Sequence, residues 1–278
     1  MRKALATAAA FLMSVGLTPA MERVVAAPCI RSVLCLGLLE SYFDPGINDS
    51  VRVGALLGQL LEVPGANIST SLDKPSGITL DSLDFTGSGN SYLWANGGAG
   101  FPATTSFWIK FDALPTAPAQ AVVLSRRDDE HPGPMVYVAD EGGGVKRLWF
   151  ITTSVDEATN VLTNSGSTNL STGQWYFVVV GYGIAKDADN NPIGSAPYMS
   201  VNGGSKVWGP TIGFVSHPGS YHFRLGARVN GDGPEDAATD YLDGKLNQLT
   251  FWNRELTSSE ISLLYSSGSG INYPFVTE

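Results

Sequence analysis

Cysteine is nearly missing from this 278-residue chain: Cys29 and Cys35 are the only two, and both precede the main body. No Cys-based zinc site and no cysteine nucleophile can therefore be built from residue 37 onward. A disulfide between the pair would close a small loop and staple none of the core. Histidine is almost as scarce, at His131, His217 and His222. No H-E-x-x-H or comparable spacing gathers metal ligands, and no G-x-S-x-G elbow marks a serine nucleophile. Positive charge is short too. Lys and Arg total 17 against 26 Asp and Glu, a formal net charge of −9. That balance argues against a nucleic-acid partner, because phosphate neutralisation needs a surplus of cations. After the first residues there is no long apolar run, so the body is expected to hold no membrane span.

What is abundant is turn chemistry. The chain has 32 Gly and 16 Pro, 10% aromatics and only 15% charged residues. A low-charge, Gly-rich, aromatic chain with short apolar runs between turn clusters reads as an all-β sandwich. Candidate strands are Gly37–Phe43, Asp81–Phe85, Thr104–Asp112, Ala121–Arg126, Met135–Asp140, Lys146–Thr153, Gln174–Tyr182, Tyr198–Val201, Tyr221–Arg228 and Lys245–Asn253. In Thr104–Asp112, Phe107, Ile109 and Phe111 share one face while Trp108 and Lys110 take the other. From Gln174 both faces are apolar. This strand is expected to be central, one face on the sister sheet and the other under loops. Trp108, Trp149, Trp175 and Trp252 fall within strands and are expected in core or inter-sheet packing. Asn202-Gly203-Gly204 and Asp243-Gly244 read as tight reversals, and Gly97–Gly100 and Gly142–Gly144 as hairpin turns. Longer polar loops are expected at Arg126–Pro134, Lys186–Pro197 and Asn230–Asp240.

The start reads differently. Arg2 and Lys3 precede an apolar stretch, Ala4–Leu17, and Thr18-Pro19-Ala20 offers a small-residue exit. Residues 1–20 are expected to be a signal peptide or an N-terminal arm, 21–36 a linker, and 37–278 one domain. The end is equally explicit. In Lys245–Asn253, Leu246 and Leu249 sit three apart, so a β-bulge at Asn247-Gln248 is needed to put both in the core. Thr257-Ser-Ser-Glu260 is a capping box opening a short helix. Ile261, Leu264 and Tyr265 are its apolar face, expected to plug an end or face of the sandwich.

Several pieces in order resemble a known family. Gly37-Leu-Leu-Glu-Ser-Tyr-Phe-Asp44 is similar to its opening strand, and Leu83-Asp-Phe-Thr-Gly-Ser-Gly-Asn-Ser-Tyr92 to its F-x-G-x-x-x-Y hairpin. Phe107-Trp-Ile-Lys110 resembles a core strand, and Trp175 to Tyr182 the W-x-x-V-x-x-x-Y strand. Ser200-Val-Asn-Gly203 and Arg224-Leu-Gly-Ala227 follow, and Tyr241–Tyr265 resembles the ending I-D-E-V-x-I-W-x-R-x-L. Together they resemble the laminin-G-like jelly rolls of the concanavalin A-like lectin and glucanase superfamily. The resemblance implies an all-β, two-sheet antiparallel jelly-roll sandwich with one short C-terminal helix.

Fold does not dictate function in that superfamily. Its retaining glucanases carry E-x-D-x-x-E on one strand, and no such cluster occurs here. Asp128-Asp129-Glu130 and Asp156-Glu157 are consecutive acids that read as solvated loops. Many members hold calcium, and Asp187, Asp189 and Asn191 place oxygen side chains at alternate positions, as a calcium loop does. Pro192 and the lack of a following Glu depart from that pattern. Leu246-Asn-Gln-Leu249 also replaces two family carboxylates with amides. The resemblance implies sugar contacts from rim aromatics with nearby Asn and Asp: Trp94 with Asn96, Trp208, and Tyr241 near Asn230 and Asp232. The expectation is a non-catalytic recognition or adhesion module, secreted or surface-displayed, binding a glycan or protein surface. Two alternatives stand beside it. One is a surface component of a larger assembly, such as a virion decoration or fibre protein, with the N-terminal segment as docking arm. The other is a glycosidase with dispersed carboxylates.

Overall fold

A strand that is apolar on both faces needs a layer on each side, and the computed structural model supplies both. The structure describes residues 39–43, 51–52, 57–62, 68–79, 81–88, 91–97, 103–125, 133–153, 160–189, 191–212, 223–229, 238–252 and 254–272. The export-like segment 1–20, the linker 21–36 with its two cysteines, the acids at 128–130 and 156–157, all three histidines, Asn230 and Asp232 lie outside them.

The strands are β1 (Leu39–Phe43), β2 (Val51–Arg52), β3 (Leu57–Glu62), β4 (Ile68–Ser71), β5 (Ser82–Thr86), β6 (Leu93–Gly97), β7 (Thr104–Phe111), β8 (Gln120–Ser125) and β9 (Met135–Asp140). They continue with β10 (Lys146–Thr153), β11 (Asn160–Asn164), β12 (Trp175–Lys186), β13 (Pro192–Val201), β14 (Val207–Trp208), β15 (Phe223–Leu225), β16 (Arg228–Val229), β17 (Ala238–Thr239) and β18 (Asp243–Trp252). A nine-stranded sheet runs β14-β13-β12-β7-β18-β1-β2, with β5 also on β18 and β4 on β5. A seven-stranded sheet runs β11-β10-β9-β8-β15-β6-β3, and β16 pairs with β17. The described ladders between these strands are antiparallel, as the two-sheet sandwich expectation requires.

Between the sheets, Phe107, Ile109 and Phe111 of β7 and Tyr176, Val178 and Val180 of β12 meet Val136, Val138, Leu148 and Phe150 of the opposite sheet. Each is buried, and each such burial contributes about 1.5–3 kcal/mol. The other face of β7, β12 and β18 carries Trp108, Phe177, Val179 and Trp252. The helix α1 (Ser258–Tyr265) covers it with Ile261 and Leu264, beside Ile78 and Leu256. The expected loop cover is thus a helix. The tryptophans of β7, β10, β12 and β18 pack as expected but in layers outside the inter-sheet core, Trp175 being partly buried against the α1 cluster. Trp108 and Trp252 sit under α1, and Trp149 is half-buried on the outward face of the seven-stranded sheet beside Tyr137 and Met135.

The bulge is where the spacing of Leu246 and Leu249 puts it. Gln248 adopts a left-handed φ of 47°, the β18–β7 register shifts between Asn247 and Thr250, and both leucines enter the inter-sheet core. Asn202 and Gly203 turn with φ of 53° and 68°, linking β13 toward β14, and Gly142–Gly144 join β9 to β10. Two expectations are corrected. Asp243-Gly244 is no reversal but the start of β18. A Cβ on Gly244 would stand 2.3 Å from the Lys110 carbonyl, so glycine serves close strand approach there. The polar loop expected over Lys186–Pro197 shrinks to a tip, because β12 and β13 stay paired from Val178↔Val201 out to Lys186↔Pro192.

The helix starts by its predicted box: the Thr257 hydroxyl accepts from the Glu260 N–H, and the Glu260 carboxylate accepts from the Thr257 N–H at 2.8 Å. Glu260 also takes a bidentate pair from Arg254, Nη1 at 2.9 Å and Nη2 at 2.6 Å. Burial raises the Glu260 carboxyl's pKa, but Arg254 and Thr257 outweigh it and hold it below the ordinary carboxylate range. A carboxylate depressed in the folded state stabilises above its unfolded pKa and loses that contribution as pH falls through the folded one. Glu260→Gln is therefore expected to cost about 3 kcal/mol at neutral pH. Denaturant titrations of the two proteins should converge as the pH falls below the ordinary carboxylate range. A gap unchanged by pH contradicts this.

Candidate functional site

Two glycines on one face of β12 set up the most solvent-facing aromatic group among the described residues. Gly181 and Gly183 point outward from the nine-stranded sheet, opposite Tyr198 and Ala196 of β13. With no side chains in the way, the rings of neighbouring strands lie across the sheet. Tyr198 passes over Gly181 to reach β7, its hydroxyl 2.8 Å from the Thr104 hydroxyl. Trp208, opposite Tyr198 on β14, reaches across β13 until a Cβ built on Gly183 would stand 2.5 Å from its Cη2. The two rings meet at 5.1 Å, tilted by 53°. Tyr198 is fully buried, and that burial pushes its phenol pKa up. Trp208 remains 47% exposed.

The charges beside this platform are ordered. Lys206, two residues before Trp208 and so on the same face, holds its ammonium 4.2 Å from the Tyr198 ring centre and 5.3 Å from that of Trp208. Its partner is Glu255 Oε1. The Lys206 side chain is only 8% exposed whereas that of Glu255 is 39% exposed. Glu255 is delivered by the link from β18 to α1, which is pinned to the same cluster. The Thr104 hydroxyl donates to the Arg254 carbonyl at 2.8 Å, and the Leu256 N–H donates to the Tyr198 hydroxyl at 3.4 Å. Glu255 Oε2 stands 2.6 Å from the same Gly183 Cβ position as the indole. The surface thus offers an indole face with a carboxylate oxygen at its edge.

A laminin-G-like family model, described as the concanavalin A-like lectin/glucanases superfamily, matches residues 86–262. The chain belongs to that superfamily. Its fold is similar to a structure titled Botulinum Neurotoxin Type G Receptor Binding Domain, with TM-score 0.52 and 13% identity, over 83% of this chain and 51% of that one. A second serotype G binding domain matches at TM-score 0.50 and 13% identity, over 83% and 50%. The chain spans about half the length of those toxin domains. Domain 4 of a GH43 extracellular arabinanase from Geobacillus stearothermophilus, solved with arabinotriose, matches at TM-score 0.49 and 16% identity, over 81% and 97%. At these identities the likeness is one of fold. A search of curated proteins by sequence finds no match.

Within this superfamily member the expected site residues are scattered. Trp94 and Asn96 lie on β6, a strand between β15 and β3, rather than in a rim loop. Tyr241 is half-buried against Tyr92, Ala227 and Ala238. It precedes β18 beside the Phe111 end of β7, whereas Trp208 lies towards the Thr104 end. Trp208 is on a short edge strand. Asp187, Asp189 and Asn191 form the β12–β13 tip. There the Asp187 carboxylate accepts from the N–H groups of Asp189 at 3.0 Å and Asn191 at 2.9 Å. Those donors, Asn191 first, hold its pKa below the usual range. The carboxylate closes its own turn, and among the described residues no three His, Cys, Asp or Glu side chains converge as a metal site. Lys206, Glu255 and the two glycines were missed. The i, i+2 pairs Lys206–Trp208 and Gly181–Gly183 are the signals that point to the lysine and the glycines, and none points to Glu255.

Because the atoms in the way are the far ends of two side chains, the Trp208 indole and the Glu255 carboxylate, Gly183→Ala should displace Trp208 without unfolding the chain. The expected stability cost is about 1 kcal/mol, with a clear rise in acrylamide quenching of tryptophan fluorescence. Unchanged quenching would mean that Trp208 does not rest on Gly183.

Proposed function

We propose that this protein is a non-catalytic recognition module that binds a glycan on the Trp208 platform. The observation that carries the reading is the exposed indole held across the sheet by Gly183, with the Glu255 carboxylate at its edge. A flat apolar ring stacks on the C–H face of a pyranose, and an adjacent charged acceptor takes its hydroxyl protons. The ring is held in place before any ligand arrives, since Tyr198, Lys206 and Gly183 fix it from below, and that lowers the ordering cost of binding. The superfamily fold hosts receptor and sugar recognition among much else, so the argument for this chain rests on its own surface.

The platform is a sheet-edge surface, and this replaces the rim-loop mode as the proposed route of binding. The described residues bring a single carboxylate, Glu255, to the platform, and it is paired with Lys206, so binding there is expected to be independent of calcium. Export to the cell exterior or display on a particle surface fits such a module and is part of the proposal.

A glycan array with the full chain, in calcium and in chelator, tests the reading. Trp208→Ala is expected to weaken every positive signal at least about tenfold, the value of one aromatic stack, while the unfolding midpoint changes little. Retained binding in Trp208→Ala would place the ligand elsewhere.

A further inference from the structure

The charge order at the platform points further than its ring. Lys206 and Glu255 form a pair, yet the two partners are not equally available. The ammonium is enclosed between the Tyr198 and Trp208 rings and the Glu255 carboxylate, with its side chain 8% exposed. The Glu255 side chain is 39% exposed, and Lys206 is bound through Oε1, while Oε2 lies beside the indole tip over Gly183. A ligand on the ring therefore meets an anion and not a cation. The whole chain adds the same sign, with a formal net charge of −9.

We infer that the Trp208 platform selects uncharged glycans and rejects acidic ones, with Glu255 as the specificity-determining residue. The inference rests on the glycan reading above and narrows it. A neutral pyranose stacked on the indole donates hydroxyl hydrogen bonds to Glu255 Oε2, and charge-assisted bonds of this kind are about twice as strong as neutral ones. A uronate, sialate or sulfate at the same place brings a second anion within several ångströms of Oε2. The buried Lys206 cannot turn to meet it, because its ammonium is already held by Glu255 and two rings. Repulsion of that kind excludes a ligand as effectively as lost contacts do.

The test compares neutral oligosaccharides with their uronic-acid counterparts of the same linkage on the full-length wild-type chain, by titration calorimetry at low and high salt. The neutral set is expected to bind about tenfold more tightly at low salt. The gap should narrow as salt screens the carboxylate. Glu255→Gln removes the anion and is expected to weaken neutral ligands about fivefold while relaxing the exclusion of acidic ones. Since that change strips Lys206 of its partner, the paired variant Lys206→Met with Glu255→Gln keeps the comparison valid if the single variant does not fold. It should show the same loss of discrimination. Equal or tighter binding of the acidic set at low salt overturns the inference and leaves the glycan reading intact. Binding of neither set overturns the glycan reading itself.

Discussion

The extra residue at Gln248 decides where everything after it points. Side chains alternate along a strand, so without the bulge Leu249 would face away from Leu246 and Trp252 would enter the inter-sheet core. With Gln248 in the left-handed region the alternation is reset. Leu249 joins Leu246 between the sheets, and Trp252 turns outward, where its indole N–H donates to the Ser106 hydroxyl at 3.0 Å. β18 bonds to β7 along one side and to β5 and β1 along the other. The reset therefore acts at the centre of the nine-stranded sheet rather than at an edge.

The proposed platform follows from the same shift. Once Trp252 faces outward, the chain leaves the sheet on its outer side. Arg254 can then anchor Glu260 and the capped helix, and Glu255 arrives beside Lys206. The apolar outer faces of Trp108, Phe177 and Trp252 are covered by α1, and the cover stops short of Trp208. One stretch of chain thus closes the core and supplies the only carboxylate that the described residues bring to the platform.

Much of the fold was legible because its signals are local. The three-residue spacing of Leu246 and Leu249 required the bulge, Thr257 and Glu260 wrote the helix start, and Phe107, Ile109 and Phe111 declared their common face. The errors have a physical reason. Asp243-Gly244 has the composition of a turn, but its glycine answers a carbonyl on β7 that only pairing brings near. Trp94 beside Asn96 looked like a rim-loop aromatic, and pairing of β6 with β15 and β3 places it in a strand. The platform was the least legible part. Trp208 could be singled out as a loop aromatic, but Glu255 lies 49 residues from Lys206 along the chain, and nothing in either neighbourhood announces the other.

Ligand contact is proposed to occur on the indole face of Trp208 and on no other tryptophan. The chain has six tryptophans, each with one indole N–H signal that substitution can assign in a heteronuclear NMR spectrum. Titration with the tightest-binding oligosaccharide should shift the Trp208 indole signal most, leaving those of buried Trp108 and Trp252 unmoved. A largest shift at Trp94 or Trp149 with Trp208 unchanged would contradict the account.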